Sequence, residues 1–168
     1  MRLISEGHRS DAAVARRWPR YCGAAVAVAA AAAAGARSVD PDSAWYRALR
    51  KPPWQPPAWA FGAVWTPLYA SLAFAGGHAL GGDEGQGRSI AARFGVNLAL
   101  NAGWTWLFFG RHSPRAALAG TVLLDLSNAE LIRRLARTDR VAARALVPYA
   151  LWCAFATALN TSIARRNL

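Results

Sequence analysis

The sequence predicts an all-α integral membrane protein, a single bundle of five transmembrane helices with a Pro/Trp-rich loop between the first two. Charged residues make up only 17% of the 168 residues, and they cluster between long uncharged segments. The mean hydropathy of +0.11 is modest because the charged connectors are averaged with these apolar segments. Hydrophobic residues, at 54% of the chain, exclude an intrinsically disordered protein.

Four uncharged windows and one more polar block define the five helices. The windows enclose 16, 31, 17 and 20 residues and lie at 21–36, 52–82, 94–110 and 145–164. A span needs about 20 mostly apolar residues, so the second and fourth windows qualify alone, and the third does if Arg93 extends to the interface. The polar block at 114–135 carries Asp125, Asn128 and Glu130. The predicted helices are 18–37, 57–80, 89–110, 114–136 and 140–165.

The basic composition and the few cysteines exclude several classes of function. The net charge is +11, from nineteen arginines and one lysine against nine acids, but the arginines lie between apolar segments, which argues against a nucleic-acid binder. Cys22 and Cys153 each lie inside an apolar stretch, which excludes a disulfide framework and a cysteine-based zinc site. Because His8, His78 and His112 lack metal-ligand spacing, we predict no metal site and no required cofactor.

The distribution of basic residues predicts the orientation. Twelve lie on the side of the N-terminus and eight on the other side, so the positive-inside rule places the N-terminus in the cytoplasm. Residues 1–17 are predicted to be a mobile tail ahead of one domain at 18–168. The alternative for this charged and then apolar start is a signal peptide. High arginine and alanine usage is typical of GC-rich bacteria and therefore indicates a bacterial plasma membrane.

The stretch from Trp45 to Trp65, WYRALRKPPWQPPAWAFGAVW, is not a flexible linker. Its four prolines fix the backbone and remove hydrogen-bond donors, which makes the segment stiff and extended. Pro56–Pro57 then suits the first turn of the second helix. The aromatic residues favour a lid over a cavity. The alternative for Trp45, Trp54 and Trp59 is an aromatic belt at the membrane interface.

Three segments in this order resemble one known family. WYRALRKPPWQPPAW, NLALNAGWTWLFFG and PYALWCAFATALNTSIARRN are similar to the signatures of the translocator protein family (TspO/MBR), also called tryptophan-rich sensory proteins or peripheral-type benzodiazepine receptors. The resemblance covers about 20–167 and implies five transmembrane helices. It also implies porphyrin, haem and hydrophobic drug-like ligands. The residues that match the family's ligand pocket are Tyr46, Trp65, Asn101, Trp152 and Ala156.

The third predicted helix has two contrasting faces. A small residue recurs every fourth position, which lets helix backbones approach closely in lipid; these residues are Ala91, Gly95, Ala99 and Gly103. We predict a homodimer through this stripe, which the family resemblance also favours, with packing within the chain as the alternative. Asn97, Asn101 and Trp104 lie near the opposite face, where they line a cavity or bond to other helices.

The remaining predicted site residues come from the other helices. Asp125 must face inward, because a carboxylate within the membrane is costly unless it is paired or hydrated; it is either functional or a structural hydrogen-bond hub. Trp65 and Trp152 are predicted to form an aromatic slot for a large planar ligand. The predicted ligand-binding residues are Tyr46, Trp54, Phe61, Trp65, Asn97, Asn101, Trp104, Asp125, Tyr149, Trp152 and Ala156.

Three functions fit these features. The first is a membrane receptor or carrier that binds tetrapyrroles, porphyrin or haem, and affects their transport or level. The second is a light- and oxygen-dependent porphyrin-degrading enzyme, as the resemblance implies, in which Trp65 and Trp152 would be the catalytic residues. The third is a membrane regulatory scaffold or sensor. Sterol binding is not predicted, because Thr161 stands where the cholesterol-recognition pattern of animal members has a tyrosine.

Overall fold

The computed structural model describes residues 18–81 and 84–167, with the side chains of 84–86 excepted, so the predicted tail at 1–17 lies outside the described residues. Within this part every regular element is a helix, which confirms the predicted all-α class. The helices are α1 (Trp18–Ala36), α2 (Ala44–Ala48), α3 (Ala58–Ala79), α4 (Glu84–Thr105, continued by a π-helical turn at Trp106–Gly110), α5 (Pro114–Thr138) and α6 (Arg140–Arg166).

Local sequence signals set several helix ends. Ser113 caps α5 by accepting a hydrogen bond from the backbone N–H of Ala116 at 3.3 Å, and Pro114 occupies the first turn, where its missing N–H costs nothing. Asp139 caps α6 by accepting from the N–H groups of Val141 and Ala142 at 3.1 and 3.0 Å. These caps satisfy donors that the first helical turn leaves without an intrahelical partner.

The five long helices pack as a ring. The main contacts run from α1 to α3, α3 to α6, α6 to α5, α5 to α4, and α4 back to α1. Two adjacent glycines, Gly76 and Gly77, bring α3 against α1, since a Cβ atom at Gly77 would meet the backbone Cα of Tyr21 at 2.8 Å. Leu72 and Leu124 are fully or almost fully buried in the centre of the ring.

Two of the long helices, α3 and α6, are long and apolar enough to cross a membrane by length and composition. They are the helices of the two uncharged windows that qualify alone. That α1, α4 and α5 also cross the membrane stays a prediction. Helix α4 begins at Glu84, five residues before the predicted start at 89. Arg88 and Arg93 end the apolar segment, but arginine is compatible with a helix, so the helix extends beyond that segment.

A contact between His78 and Asp139 closes the bundle at the end away from the 37–57 connector. His78 Nδ1 at the end of α3 lies 2.5 Å from Asp139 Oδ2 in the turn between α5 and α6. Burial pushes the pKa of Asp139 up, but the N–H of Ala142 and the His78 ring outweigh it and hold the pKa below its ordinary value of 3.8. The ionised form of Asp139 therefore stabilises the fold.

We expect Asp139→Asn to lower the melting temperature at neutral pH, because asparagine keeps the helix cap and loses the charge. A group with a lowered folded-state pKa contributes stability above its unfolded pKa and loses it as pH falls through the folded value. The difference between wild type and variant should therefore shrink below about pH 4. Melting in detergent across pH measures this, with the exposed Asp42→Asn as control; a difference that does not change with pH contradicts it.

Candidate ligand-binding site

A cavity of about 580 Å³ lies at the end of the ring next to the 37–57 connector. Its wall is built by the C-terminal ends of α1, α4 and α6, the N-terminal half of α3, and the connector itself. The wall of the cavity is mostly apolar, and none of its described residues is acidic or basic. Its aromatic members are Tyr46, Phe61, Trp65, Tyr69, Trp104, Phe108 and Phe109.

The π-helical turn widens α4 where it meets the cavity. The N–H of Arg111 donates to the carbonyl oxygen of Trp106, five residues back, at 2.9 Å. Turns of this kind are rare and often occur at functional sites. Phe108 and Phe109 in this turn both belong to the wall, with ring centroids 4.9 Å apart. The turn therefore supplies two neighbouring aromatic rings to one cavity.

Part of the connector is helical rather than extended throughout, as Ser43 starts α2 by accepting a hydrogen bond from the N–H of Tyr46. Tyr46 lines the cavity, and its hydroxyl accepts from Gln55 Nε2 at 3.1 Å. Lys51 Nζ lies 4.0 Å from the centroid of the same ring. Burial raises the pKa of Tyr46, with the Gln55 hydrogen bond partly opposing it, so the phenol is neutral at physiological pH.

The connector is bound to the bundle at two further places. Asn167 at the end of α6 accepts from the N–H of Arg50 at 2.9 Å and donates to its carbonyl oxygen at 3.1 Å. Trp45 stacks on His112, with ring centroids 4.6 Å apart. Both contacts join residues distant in sequence, so the connector is a fixed cover of the cavity in this structure.

The two tryptophans of the predicted slot occupy different places. Trp65 belongs to the wall and stacks on Tyr69 at a centroid distance of 5.1 Å. Trp152 is not among the wall residues; it packs against Phe155 at 5.1 Å and against the wall residue Phe61 at 6.0 Å. Trp152 thus contacts the wall through Phe61, and an aromatic slot formed by the two tryptophans stays a prediction.

A hydrogen-bond network lies behind the cavity. Asn101, a wall residue, donates from Nδ2 to the hydroxyl of Tyr149 at 3.0 Å. That hydroxyl donates to Asn97 Oδ1 at 3.3 Å, and Asn97 Nδ2 donates to Asn128 Oδ1 at 2.8 Å. Tyr149 and Asn97 are fully buried, so the network joins α4, α5 and α6 and fixes the orientation of Asn101.

The structure places some of the predicted ligand residues in the cavity wall and the others outside it. Six of the eleven lie in the wall: Tyr46, Phe61, Trp65, Asn101, Trp104 and Ala156. Asn97, Tyr149 and Trp152 lie behind it. Trp54 is half exposed and meets Phe155 edge-on. Asp125 accepts from the hydroxyl of Thr157 at 2.7 Å, on a helix, α5, that contributes no described residue to the wall.

The wall also contains residues that the sequence analysis did not select. Helix α1 contributes Ala32, Ala33 and Ala36, which an alanine-rich helix gives no means of distinguishing from their neighbours. Gln55, Thr105 and Asn160 are polar additions. A signal for Asn160 existed, because it follows the wall residue Ala156 by one helical turn and therefore shares its face.

The amino-acid sequence of this chain is similar to those of one known protein family. Residues 23–166 match the TspO/MBR family. The chain is 37% identical to the tryptophan-rich protein TspO of Chlorobaculum tepidum, with 76% of this chain and 82% of the relative covered. It is 32% identical to the human translocator protein, with 92% and 94% covered, and 36% identical to the tryptophan-rich sensory protein of Cereibacter sphaeroides, with 77% and 80% covered. Because the match spans most of the chain, this protein belongs to the TspO/MBR family of membrane proteins.

Proposed function

We propose that this protein is a membrane receptor or carrier that binds tetrapyrroles in the cavity and affects their transport or level. The observation that carries the proposal is the cavity of about 580 Å³, walled by seven aromatic side chains and by no described charged residue. Its volume is typical of small-molecule sites, which are concave and mostly apolar. Rings such as Trp65 and Tyr69 favour a large planar ligand through stacking and apolar burial.

The proposal includes five membrane-spanning helices and a cytoplasmic N-terminus in a bacterial plasma membrane. Exposed apolar side chains on several helices support it, since Val26, Leu126 and Leu151 each leave more than 60% of their surface exposed. Contact of such apolar surface with water is unfavourable, whereas contact with lipid acyl chains is not. With this orientation the 37–57 connector and the cavity open on the outer side.

The proposal is tested by titrating the protein, in lipid nanodiscs, with protoporphyrin, haem and a sterol in parallel. Binding of the first two is followed through the Soret band, and empty nanodiscs correct for partitioning into lipid. We expect saturable binding of a tetrapyrrole and none of the sterol. Absence of saturable tetrapyrrole binding contradicts the proposed function.

A second candidate is light- and oxygen-dependent degradation of a bound porphyrin. The stacked pair of Trp65 and Tyr69 in the wall favours it, because both rings are oxidisable and touch the same space. Illumination of the protoporphyrin complex in air, followed by product analysis, distinguishes the candidates. Faster loss of porphyrin than in a Trp65→Phe, Tyr69→Phe variant with equal occupancy supports the enzyme, and equal loss supports the carrier.

We also propose that two copies pair through α4. The small-residue stripe is not used within the chain, since Ala91, Gly95 and Ala99 are exposed and Gly103 is half-buried. No atom lies within 4 Å of a Cβ built at Gly95 or Gly103. The stripe is therefore free for a second helix, and small residues allow the close backbone approach that stabilises helix pairs in lipid.

Gly95→Leu is expected to raise the dimer dissociation constant by about tenfold or more, which corresponds to roughly 1.4 kcal/mol, because the side chain separates the two backbones. Analytical ultracentrifugation in mild detergent measures the change. Gly23→Leu is the matched control, as Gly23 on α1 also has no neighbour within 4 Å. If the mass distribution of Gly95→Leu equals that of the wild type, the proposed dimer interface on α4 is wrong.

A further inference from the structure

Three amide side chains in the cavity wall share one arrangement: Gln55, Asn101 and Asn160. Each one uses its nitrogen within the protein. Gln55 Nε2 donates to the Tyr46 hydroxyl, Asn101 Nδ2 to the Tyr149 hydroxyl, and Asn160 Nδ2 to the carbonyl oxygen of Pro114. The oxygens of these amides therefore keep capacity to accept a hydrogen bond, and those of Gln55 and Asn160 are buried without a partner among the described residues.

Asn160 is the best defined of the three. Its residue is 3% exposed, and its Nδ2 lies 2.9 Å from the Pro114 carbonyl oxygen. A carbonyl oxygen only accepts hydrogen bonds, so the amide nitrogen must face it and the orientation of the amide is fixed. Asn160 Oδ1 is then shielded from water and has no partner among the described residues, as is also the case for Gln55 Oε1.

A buried acceptor without a donor is unfavourable, and native proteins rarely leave one unless a ligand or water completes it. Asn160 contributes to the wall of the cavity between Ala156 and Ile163. Its Oδ1 has no room beside it for a water in this structure, so a ligand in the cavity supplies the donor once the neighbouring wall side chains move aside. The described wall offers no ammonium, guanidinium or imidazole to an anion. A ligand therefore enters this part of the cavity with a neutral N–H or O–H edge.

We propose that Asn160 is a specificity-determining residue whose amide oxygen selects planar apolar ligands with an N–H or O–H donor at their edge over ligands of the same shape without one. This inference rests on the proposed function, because it assigns a chemical preference to the same cavity. Gln55 Oε1 is a second acceptor near the connector, and it extends the preference to ligands with two donors.

The test uses two tricyclic probes of nearly equal shape, carbazole with a ring N–H and fluorene with a CH₂ in its place. Equilibrium dialysis against the protein in nanodiscs, corrected with empty nanodiscs, measures both affinities. We expect carbazole to bind about tenfold more tightly than fluorene, the size of one net hydrogen bond to a buried acceptor. N-Methylcarbazole, which lacks the donor, should bind as weakly as fluorene.

In Asn160→Leu the ratio of the two affinities should fall to about one, while the adjacent control Thr161→Val should keep the wild-type ratio. If the leucine variant does not fold, Asn160→Ala carries the same test, because it removes the amide and adds no atoms. Equal affinities for carbazole and fluorene in wild type overturn the inference, and so does a ratio that Asn160→Leu leaves unchanged.

Protoporphyrin is titrated in the same preparations. A wild-type protein that does not bind protoporphyrin contradicts the proposed function. A protein that binds protoporphyrin but binds carbazole and fluorene equally, or binds neither, contradicts only the role of Asn160.

Discussion

Replacing Gly77 by leucine is expected to destabilise the protein by at least about 3 kcal/mol, the upper range for overpacking a well-filled interior. A Cβ at this position would meet the Cα of Tyr21 at 2.8 Å. Because that atom is backbone, relief requires α1 to move away from α3 along their whole contact. Gly76 is less restrictive, as its nearest obstacle is the ring of Phe94 at 2.9 Å.

Thermal and SDS denaturation in detergent measure this effect through the loss of helicity. Gly23→Leu is the control, since nothing in the chain lies within 4 Å of a Cβ there, and it should remain folded. Gly77→Ala should already lower the melting temperature, although alanine is the better helix former. A melting temperature for Gly77→Leu equal to that of Gly23→Leu contradicts the close approach of α1 and α3.

Replacing Trp65 by alanine is expected to weaken protoporphyrin binding by about tenfold or more. Trp65 forms part of the cavity wall, and an aromatic contact contributes about 0.5–1.5 kcal/mol beyond the apolar area it buries. Trp152→Ala should have the smaller effect on binding, because Trp152 contacts Phe61 and Phe155 instead of the cavity. Its main cost is the packing behind the wall.

Absorption titration in the Soret region is the suitable measurement, since tryptophan fluorescence itself changes in these variants. Trp59→Ala is the matched control, because Trp59 is 75% exposed and lies outside the described wall. Circular dichroism confirms that each variant is folded. If Trp65→Ala binds protoporphyrin as tightly as Trp59→Ala does, this cavity is not the tetrapyrrole site.

The sequence is most informative about those parts of the fold that are governed by long apolar segments. The windows around α3 and α6 lack charges because these helices carry continuous apolar surface, and both meet the length and hydropathy of a span. The start of α4 was predicted too late, because a charge marks where a helix meets water and not where its hydrogen bonds begin. The five-residue α2 was not predicted; its cap, Ser43, lies in a connector with five prolines, which was expected to be extended.

The cavity was predictable in part for a related reason. Helical periodicity places residues on a face but does not say whether that face meets a cavity or a neighbouring helix. Trp65 and Asn101 line the cavity. Tyr149 does not line it and instead accepts a hydrogen bond from Asn101. Such a difference in depth depends on helix rotation and spacing, which pairwise packing across the whole ring decides.

The paired hydrogen bonds between Arg50 and Asn167 join segments 117 residues apart, and this has a practical consequence for handling the protein. Moving the connector away from the cavity breaks both bonds at once. If the proposed ligand leaves past the connector, we expect these bonds to slow its release, and the end of α6 would then control the rate of exchange. Ligand residence times measured on protein tagged beyond Asn167 should therefore be compared with tag-free material.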